Sequence, residues 1–157
     1  MNEPFAIKIR PASNADCLAV QALVFAILRE YGLKPDLDGT DRDIADIEAH
    51  YTARGGLFEL IEDERGNLLG TVGLYPIDDE TVELRKMYFA PVLRGRGVGK
   101  ETLRRMLDAA RAMGFKKIYL ETATVLREAV ALYEKFGFLP TAEKHTPRCD
   151  AAYYLDL

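Results

Sequence analysis

A chain of 157 residues with 48% apolar and 29% charged side chains has the balance of a globular protein and the size of one domain able to bury a core unaided. No stretch approaches the roughly 20 consecutive apolar residues that span a bilayer, and a net charge of −4 argues against a general nucleic-acid binder. Cys17 and Cys149 are too few for a disulfide framework and match no paired metal or redox spacing.

The residues before Pro4 are few and acidic, unlike a signal peptide, so a cytoplasmic location is expected. Residues 6–10 read as a first strand with Ile7 and Ile9 on one face, broken by Pro11. Ser13-x-x-Asp16 is a capping-box pattern. Leu18, Ala22, Phe25 and Leu28 carry a helix from there to about Tyr31 or Gly32, with Arg29 and Glu30 solvated.

Residues 34–47 are the most acidic part of the chain, with Asp36, Asp38, Asp41, Asp43 and Asp46. They read either as a loop and the first turns of a second helix, where carboxylates cap and suit the dipole, or as an acidic lip for a cationic amine.

Leu57–Asp63 and residues 68–75 flank the polar turn Glu64-Arg65-Gly66-Asn67 and form an expected hairpin. A second turn at 76–80 leads into the strand Thr81–Phe89, whose alternation puts Glu83, Arg85 and Met87 on one face. A proline and a glycine-rich loop follow. Then comes an amphipathic helix with Leu103, Met106, Leu107 and Ala110 on one side, closed by Gly114. Residues 116–121 read as a strand and 126–136 as a helix closed by Gly137. Residues 138–141 and 151–157 read as two short final strands. The order β-α-α-β-β-β-α-β-α-β-β is that of an α/β domain around one mixed sheet.

The segment 87–100 organises this order. Strand, glycine-rich turn and helix N-terminus bring unpaired backbone N–H groups together where the helix dipole favours an anion. Arg94, Arg96, Lys100, Arg104 and Arg105 supply positive charge around it. A Walker A loop needs glycine where Arg94 stands and a hydroxyl where Glu101 stands, so that reading fails. A dinucleotide fingerprint needs G-x-G-x-x-G early in a βαβ unit, but the glycines here lie at 95, 97 and 99.

The run Arg94-Gly95-Arg96-Gly97-Val98-Gly99 resembles the pyrophosphate-binding motif of the GNAT superfamily of N-acyltransferases, which use acyl-coenzyme A. A second stretch, Ala129-Val130-Ala131-Leu132-Tyr133-Glu134-Lys135-Phe136-Gly137-Phe138, is similar to the family's A-x-x-L-Y-x-x-x-G-F signature. The resemblance implies a single domain over residues 1–157, with a mixed, mostly antiparallel sheet of about seven strands flanked by four helices. It implies an N-acetyltransferase that moves an acetyl group from acetyl-CoA to a primary amine by direct attack, on a small molecule or amino acid, with no metal. The coenzyme would be held by Met87, Tyr88, Phe89, Arg94, Gly95, Arg96, Gly97, Val98, Gly99 and Lys100.

Acyl transfer to an amine requires that the ammonium lose a proton, the thioester carbonyl be polarised and the departing thiolate be protonated. Tyr133 would otherwise be read as core packing, but the motif makes it the general acid. Glu83 reads equally as the general base or as a strand glutamate facing solvent, with Glu121 a substitute. Leu126 stands where many family members have an asparagine that contacts the coenzyme. Thr122 or Thr124 are alternatives for that contact, at a loss on the order of 1 kcal/mol.

His50 and His145 have no ligand spacing around them, so no metal is expected. Cys17 reads as a small buried hydrophobe. Cys149 is not needed for direct attack, and Lys116 and Lys117 read as solvated or as contacts to the coenzyme's ribose phosphate. A non-catalytic acyl-CoA sensor is the alternative class. Binding to nucleic acid or membrane is not expected, and a homodimer is left open through the apolar last strand.

Overall fold

The alternating runs build one seven-stranded sheet in the order β1-β2-β3-β4-β5-β7-β6. A computed structural model describes residues 5–157; Met1 to Pro4, on which the expected location rests, lie outside the described residues. The elements are β1 (Ile7–Pro11), α1 (Cys17–Glu30), α2 (Ile47–His50), β2 (Leu57–Asp63), β3 (Leu68–Pro76), β4 (Thr81–Phe89), α3 (Val98–Ala112), β5 (Lys117–Thr122), α4 (Arg127–Lys135), β6 (Leu139–Thr141) and β7 (Ala151–Asp156). Their order is the one the sequence patterns predict. Neighbouring strands pair antiparallel except β4 and β5, which run parallel. No helix among the described residues is long and apolar enough to cross a membrane.

Period-two alternation gives the sheet two apolar faces, each covered by helices. On one, Val72, Leu74, Val82, Leu84, Ile118 and Leu120 pack against Leu103, Met106, Leu107 and Ala110 of α3 and Tyr133 of α4. Burying each large α3 side chain contributes about 1.5–3 kcal/mol. On the other, Phe58 and Leu60 meet Val20, Val24 and Leu28 of α1 and Ile44, Ile47 and Tyr51 around α2. At the edge, β1 leaves Ile9 exposed and ends on Pro11, a position where a missing N–H is tolerated.

Three expectations are corrected. β7 is not a free edge for a homodimer, because β5 pairs along its whole length and β6 covers Ala152, Tyr153 and Tyr154. The acidic segment 34–47 divides: Asp41 and Asp43 are buried and belong neither to helix caps nor to a lip, whereas Asp36 and Asp38 are exposed and Asp36 lines a large cavity. Met87 does not share a face with Glu83 and Arg85. The pairing between β3 and β4 slips between Thr71 and Gly73, where β4 carries an extra residue and Lys86 adopts φ +53°. This β-bulge shifts the alternation by one. Met87 therefore packs with the α3 face and Tyr88 with the α1 face.

The bulge lies where the sheet divides. β4 and β5 are paired only from Thr81↔Lys117 to Glu83↔Tyr119, and beyond that point they part. One backbone edge of β4 from there to Phe89 has no strand partner among the described residues, and backbone N–H and C=O groups are obligatory hydrogen-bonding groups.

Candidate active site

The loop after β4 is built by its glycines. Pro91–Leu93 makes a 3-10 turn anchored by buried Leu93, and Gly95 and Gly97 then take φ +74° and +78°. Those values strain any residue with a Cβ, although space around both is open. A Cβ at Gly99 would lie 3.6 Å from Leu132 and Phe89, ordinary contact, so its backbone makes no such demand. Gly97 caps α3, and the first N–H bonded back to the loop is that of Glu101, which donates to the Gly97 carbonyl at 3.1 Å. The amides of Val98, Gly99 and Lys100 therefore sit in the unpaired first turn.

A cavity of about 240 Å³ lies over these amides, lined by Met87, Tyr88, Phe89, Arg94, Gly95, Gly97, Val98, Gly99 and Lys100. Arg96, grouped with them by sequence, does not line it. Its Nε donates to the Val92 carbonyl at 2.8 Å, and its guanidinium lies 4.8 Å from the Phe5 ring. Arg94 does line it, with both terminal nitrogens on Glu30 at 2.5 and 2.9 Å and its Nε donating to the Phe89 carbonyl at 3.2 Å. Glu30, expected to be solvated, thus ties α1 to the loop. Arg104 and Arg105 face elsewhere, paired with Glu101 and Glu59.

A second cavity of about 1040 Å³ opens where β4 and β5 part. Met87, Tyr88, Leu126 and Ala129 line both spaces, so the two meet. Tyr133 reaches the larger cavity from α4, its ring 5.7 Å from that of Phe138. Burial pushes the phenol well above its ordinary value, so the hydroxyl is protonated at neutral pH. Nothing among the described residues hydrogen-bonds it.

Glu83 enters the same cavity from β4. It is buried rather than facing solvent, and Arg85 Nε donates to its carboxylate at 2.6 Å. Burial raises its pKa above the ordinary value and outweighs the opposing pull of Arg85. Glu121 is fixed differently, accepting the His145 and Thr146 amides at 2.7 and 2.8 Å, so it anchors the loop before β7. Cys149 also lines the cavity. Burial, with Glu121 nearby, pushes its thiol up to about 11, the wrong direction for a nucleophile.

Sequence patterns missed the group that holds the bulge. Lys86 Nζ lies 3.3 Å from Asp41 and 3.0 Å from Asp43. Asp41 also receives both Arg148 terminal nitrogens at 2.7 and 2.8 Å, while Asp43 accepts the Tyr51 hydroxyl. The Lys86 carbonyl accepts the Thr71 hydroxyl at 2.7 Å. These partners come from four separate stretches, and no local motif announces them.

The remaining residues sort by position. Leu126 caps α4 between the two cavities. Thr124 is occupied by Asp150, to which its hydroxyl and amide both donate at 2.7 Å. Lys116 and Lys117 stand at the start of β5, beside the start of β4, and neither lines the glycine-loop cavity. Lys117 instead lines the outer part of the larger cavity.

With this geometry in place, comparisons with known proteins are informative. The model of the Acetyltransferase (GNAT) family matches residues 22–138. The uncharacterized N-acetyltransferase YjgM of Escherichia coli (strain K12) is 37% identical over 135 residues, covering 83% of this chain and 80% of the relative. A GNAT-family acetyltransferase from Staphylococcus aureus Mu50 superposes with a TM-score of 0.89 at 24% identity, over 96% of this chain and 99% of that one. A GNAT superfamily phosphinothricin acetyltransferase from Sinorhizobium meliloti, solved in complex with AcCoA, superposes with a TM-score of 0.73 at 21% identity, over 96% and 88%. At such identities the superpositions speak for the fold.

Proposed function

The chain belongs to the GNAT acetyltransferase family and is an acyltransferase, and on that premise we propose that it moves an acetyl group from acetyl-CoA to a primary amine within a ternary complex. Residues 1–157 are read as one acetyltransferase domain. The observation that carries the reading is that Glu83 and Tyr133, from separate elements, line one cavity that meets the glycine-loop cavity at Met87 and Tyr88.

In this reading the amides of Val98, Gly99 and Lys100 take the coenzyme's pyrophosphate at the α3 N-terminus. Arg94 is available once the phosphate replaces Glu30, and Arg96 acts through its backbone alone. The unpaired edge of β4 around Met87, Tyr88 and Phe89 takes the pantetheine arm and polarises the thioester carbonyl. That the phosphinothricin acetyltransferase holds AcCoA on the same fold supports the choice of acyl donor.

Glu83 takes the proton of the ammonium, directly or through water, and the freed lone pair attacks the carbonyl carbon. The tetrahedral intermediate collapses, the C–S bond breaks, the thiolate takes the Tyr133 hydroxyl proton, and the second proton on the former amine nitrogen passes to the tyrosinate, leaving a neutral amide and a neutral phenol. Burial suits both roles: it raises the proton affinity of Glu83 and keeps Tyr133 protonated. Coenzyme A release from acetyl-CoA over a panel of primary amines tests the reading, run beside Tyr133→Phe. Turnover on an amine with a drop of roughly ten-fold or more in the variant is expected. Acetyl-CoA that fails to bind overturns it.

A further inference from the structure

The lining of the larger cavity includes two arginines gathered on one tyrosine. Tyr75, opposite Glu83 on β3, has two guanidiniums against its ring: Arg85 at 3.7 Å and Arg54, from the turn before β2, at 4.4 Å. All three line the cavity. Arg85 uses only its Nε on Glu83, so its two terminal nitrogens donate to no protein group among the described residues, and its side chain is 30% exposed. Arg54 donates once, to the Pro76 carbonyl at 3.1 Å, and has no acidic partner among the described residues. A guanidinium with a free planar edge is the geometry that binds a carboxylate through two parallel hydrogen bonds.

The acids of the same cavity are in the opposite condition. Asp36 accepts the Thr40 amide, and Asp78 those of Glu80 and Thr81. Asp43 is held by Lys86 and Tyr51, and Glu121 by two loop amides. Glu143 alone among the lining carboxylates has no such partner within the described residues. An acid finds Arg85 on the base itself and Arg54 on the same tyrosine ring.

We propose that the acceptor is a small amino acid, its amine placed at Glu83 and its carboxylate held by Arg85 and Arg54. This names the acceptor class and rests on the acetyl-transfer reading above. Glu83 and Arg85 stand on one face of β4 and touch, so the two functional groups of a short amino acid reach both at once. Arg85 then has two roles. Its Nε orients the base and its terminal nitrogens position the substrate.

The test uses matched pairs, L-amino acids and their α-carboxamides, with spermidine as a cationic control and acetyl-CoA fixed. The expected wild-type kcat/KM favours the acid over its amide by roughly ten-fold or more. In Arg54→Gln, and in Arg85→Lys, which keeps the charge but loses the planar fork, that ratio falls toward one, mainly through KM. Arg54 is on the surface, so its variant reads out even where the Arg85 change disturbs folding. Equal use of acid and amide, preference for spermidine, or a ratio unmoved in both variants overturns the proposal.

Calorimetric titration of the same acids and amides into the CoA-loaded protein separates this from the catalytic reading. Selective binding of acids without turnover supports the carboxylate site while the catalytic assignment fails. Acids that bind no better than amides overturn the site, whatever the turnover.

Discussion

Lys86→Met should be among the more destabilising single substitutions in this protein. The lysine side chain is 6% exposed, and its partners Asp41 and Asp43 are 0% and 3% exposed. Removing the ammonium leaves two buried carboxylates facing the single charge of Arg148. Breaking a buried pair in this way costs about 3–5 kcal/mol. A second cost is carried by the backbone already, because Lys86 sits at φ +53°, a region worth about 1–2 kcal/mol of strain for a residue with a Cβ. Lys86→Gly removes the same charge but relieves that strain, so it should cost about 1 kcal/mol less than Lys86→Met. Pairing Lys86→Met with Asp43→Asn removes one of the stranded carboxylates, and the double variant should be more stable than the sum of the singles predicts. Urea unfolding followed at constant m-value measures the four variants, Asp43→Asn included, beside the wild type. A loss below about 1 kcal/mol in Lys86→Met, or an additive cycle, would refute the account of the bulge as pinned by charge.

Other expectations are more local. Glu83 is raised above the ordinary glutamate value by burial, with Arg85 opposing, so the acidic limb of the kcat/KM profile should lie above pH 4.5, and Glu83→Gln should abolish that limb and slow turnover. Asp41 runs the other way: Arg148 and Lys86 hold its carboxyl below the ordinary range against the effect of burial. Its contribution to stability is complete above the unfolded value and is lost as pH falls through the lower folded value, so Asp41→Asn should flatten the acid end of a stability–pH curve. Gly97→Ala should cost about 1–2 kcal/mol and raise the KM for acetyl-CoA, because Ala is strained at φ +78°, while Gly99→Ala should leave stability within about 0.5 kcal/mol.

Element order was legible because each element is dictated locally. The stripe of Leu103, Met106, Leu107 and Ala110 needs no partner to announce a helix, and those residues are buried as the periodicity predicts. Gly114 and Gly137 end helices because they take positive φ, at +90° and +92°. What stayed hidden depends on distance along the chain. Asp41 and Asp43 look like capping or lip residues until Lys86 and Arg148 arrive from elsewhere in the fold. A lysine with positive φ carries no mark in a sequence, so the alternation past Arg85 was read one residue out of phase, and Met87 with it. The same holds for β7, whose apolar pattern suits an edge strand or an interior one equally. Chemistry and motif single out Tyr133 and Glu83, which both line the larger cavity, whereas nothing in the sequence singles out the two arginines on Tyr75. Arg54 lies in an unremarkable turn, and its significance appears only when β3 brings Tyr75 beneath it.

The parting of β4 and β5 also bears on which part of the sheet is open to other chains. An ordinary sheet has two rims, and exposed rims invite strands from other molecules. Here the edge of β4 that lacks a strand partner among the described residues lies along the larger cavity, which residues of α4 and of the loop before β7 also line. The donors thus stay available for a small ligand without becoming an adhesive strip, and because they belong to the backbone, side-chain drift at Met87, Tyr88 or Phe89 does not remove them.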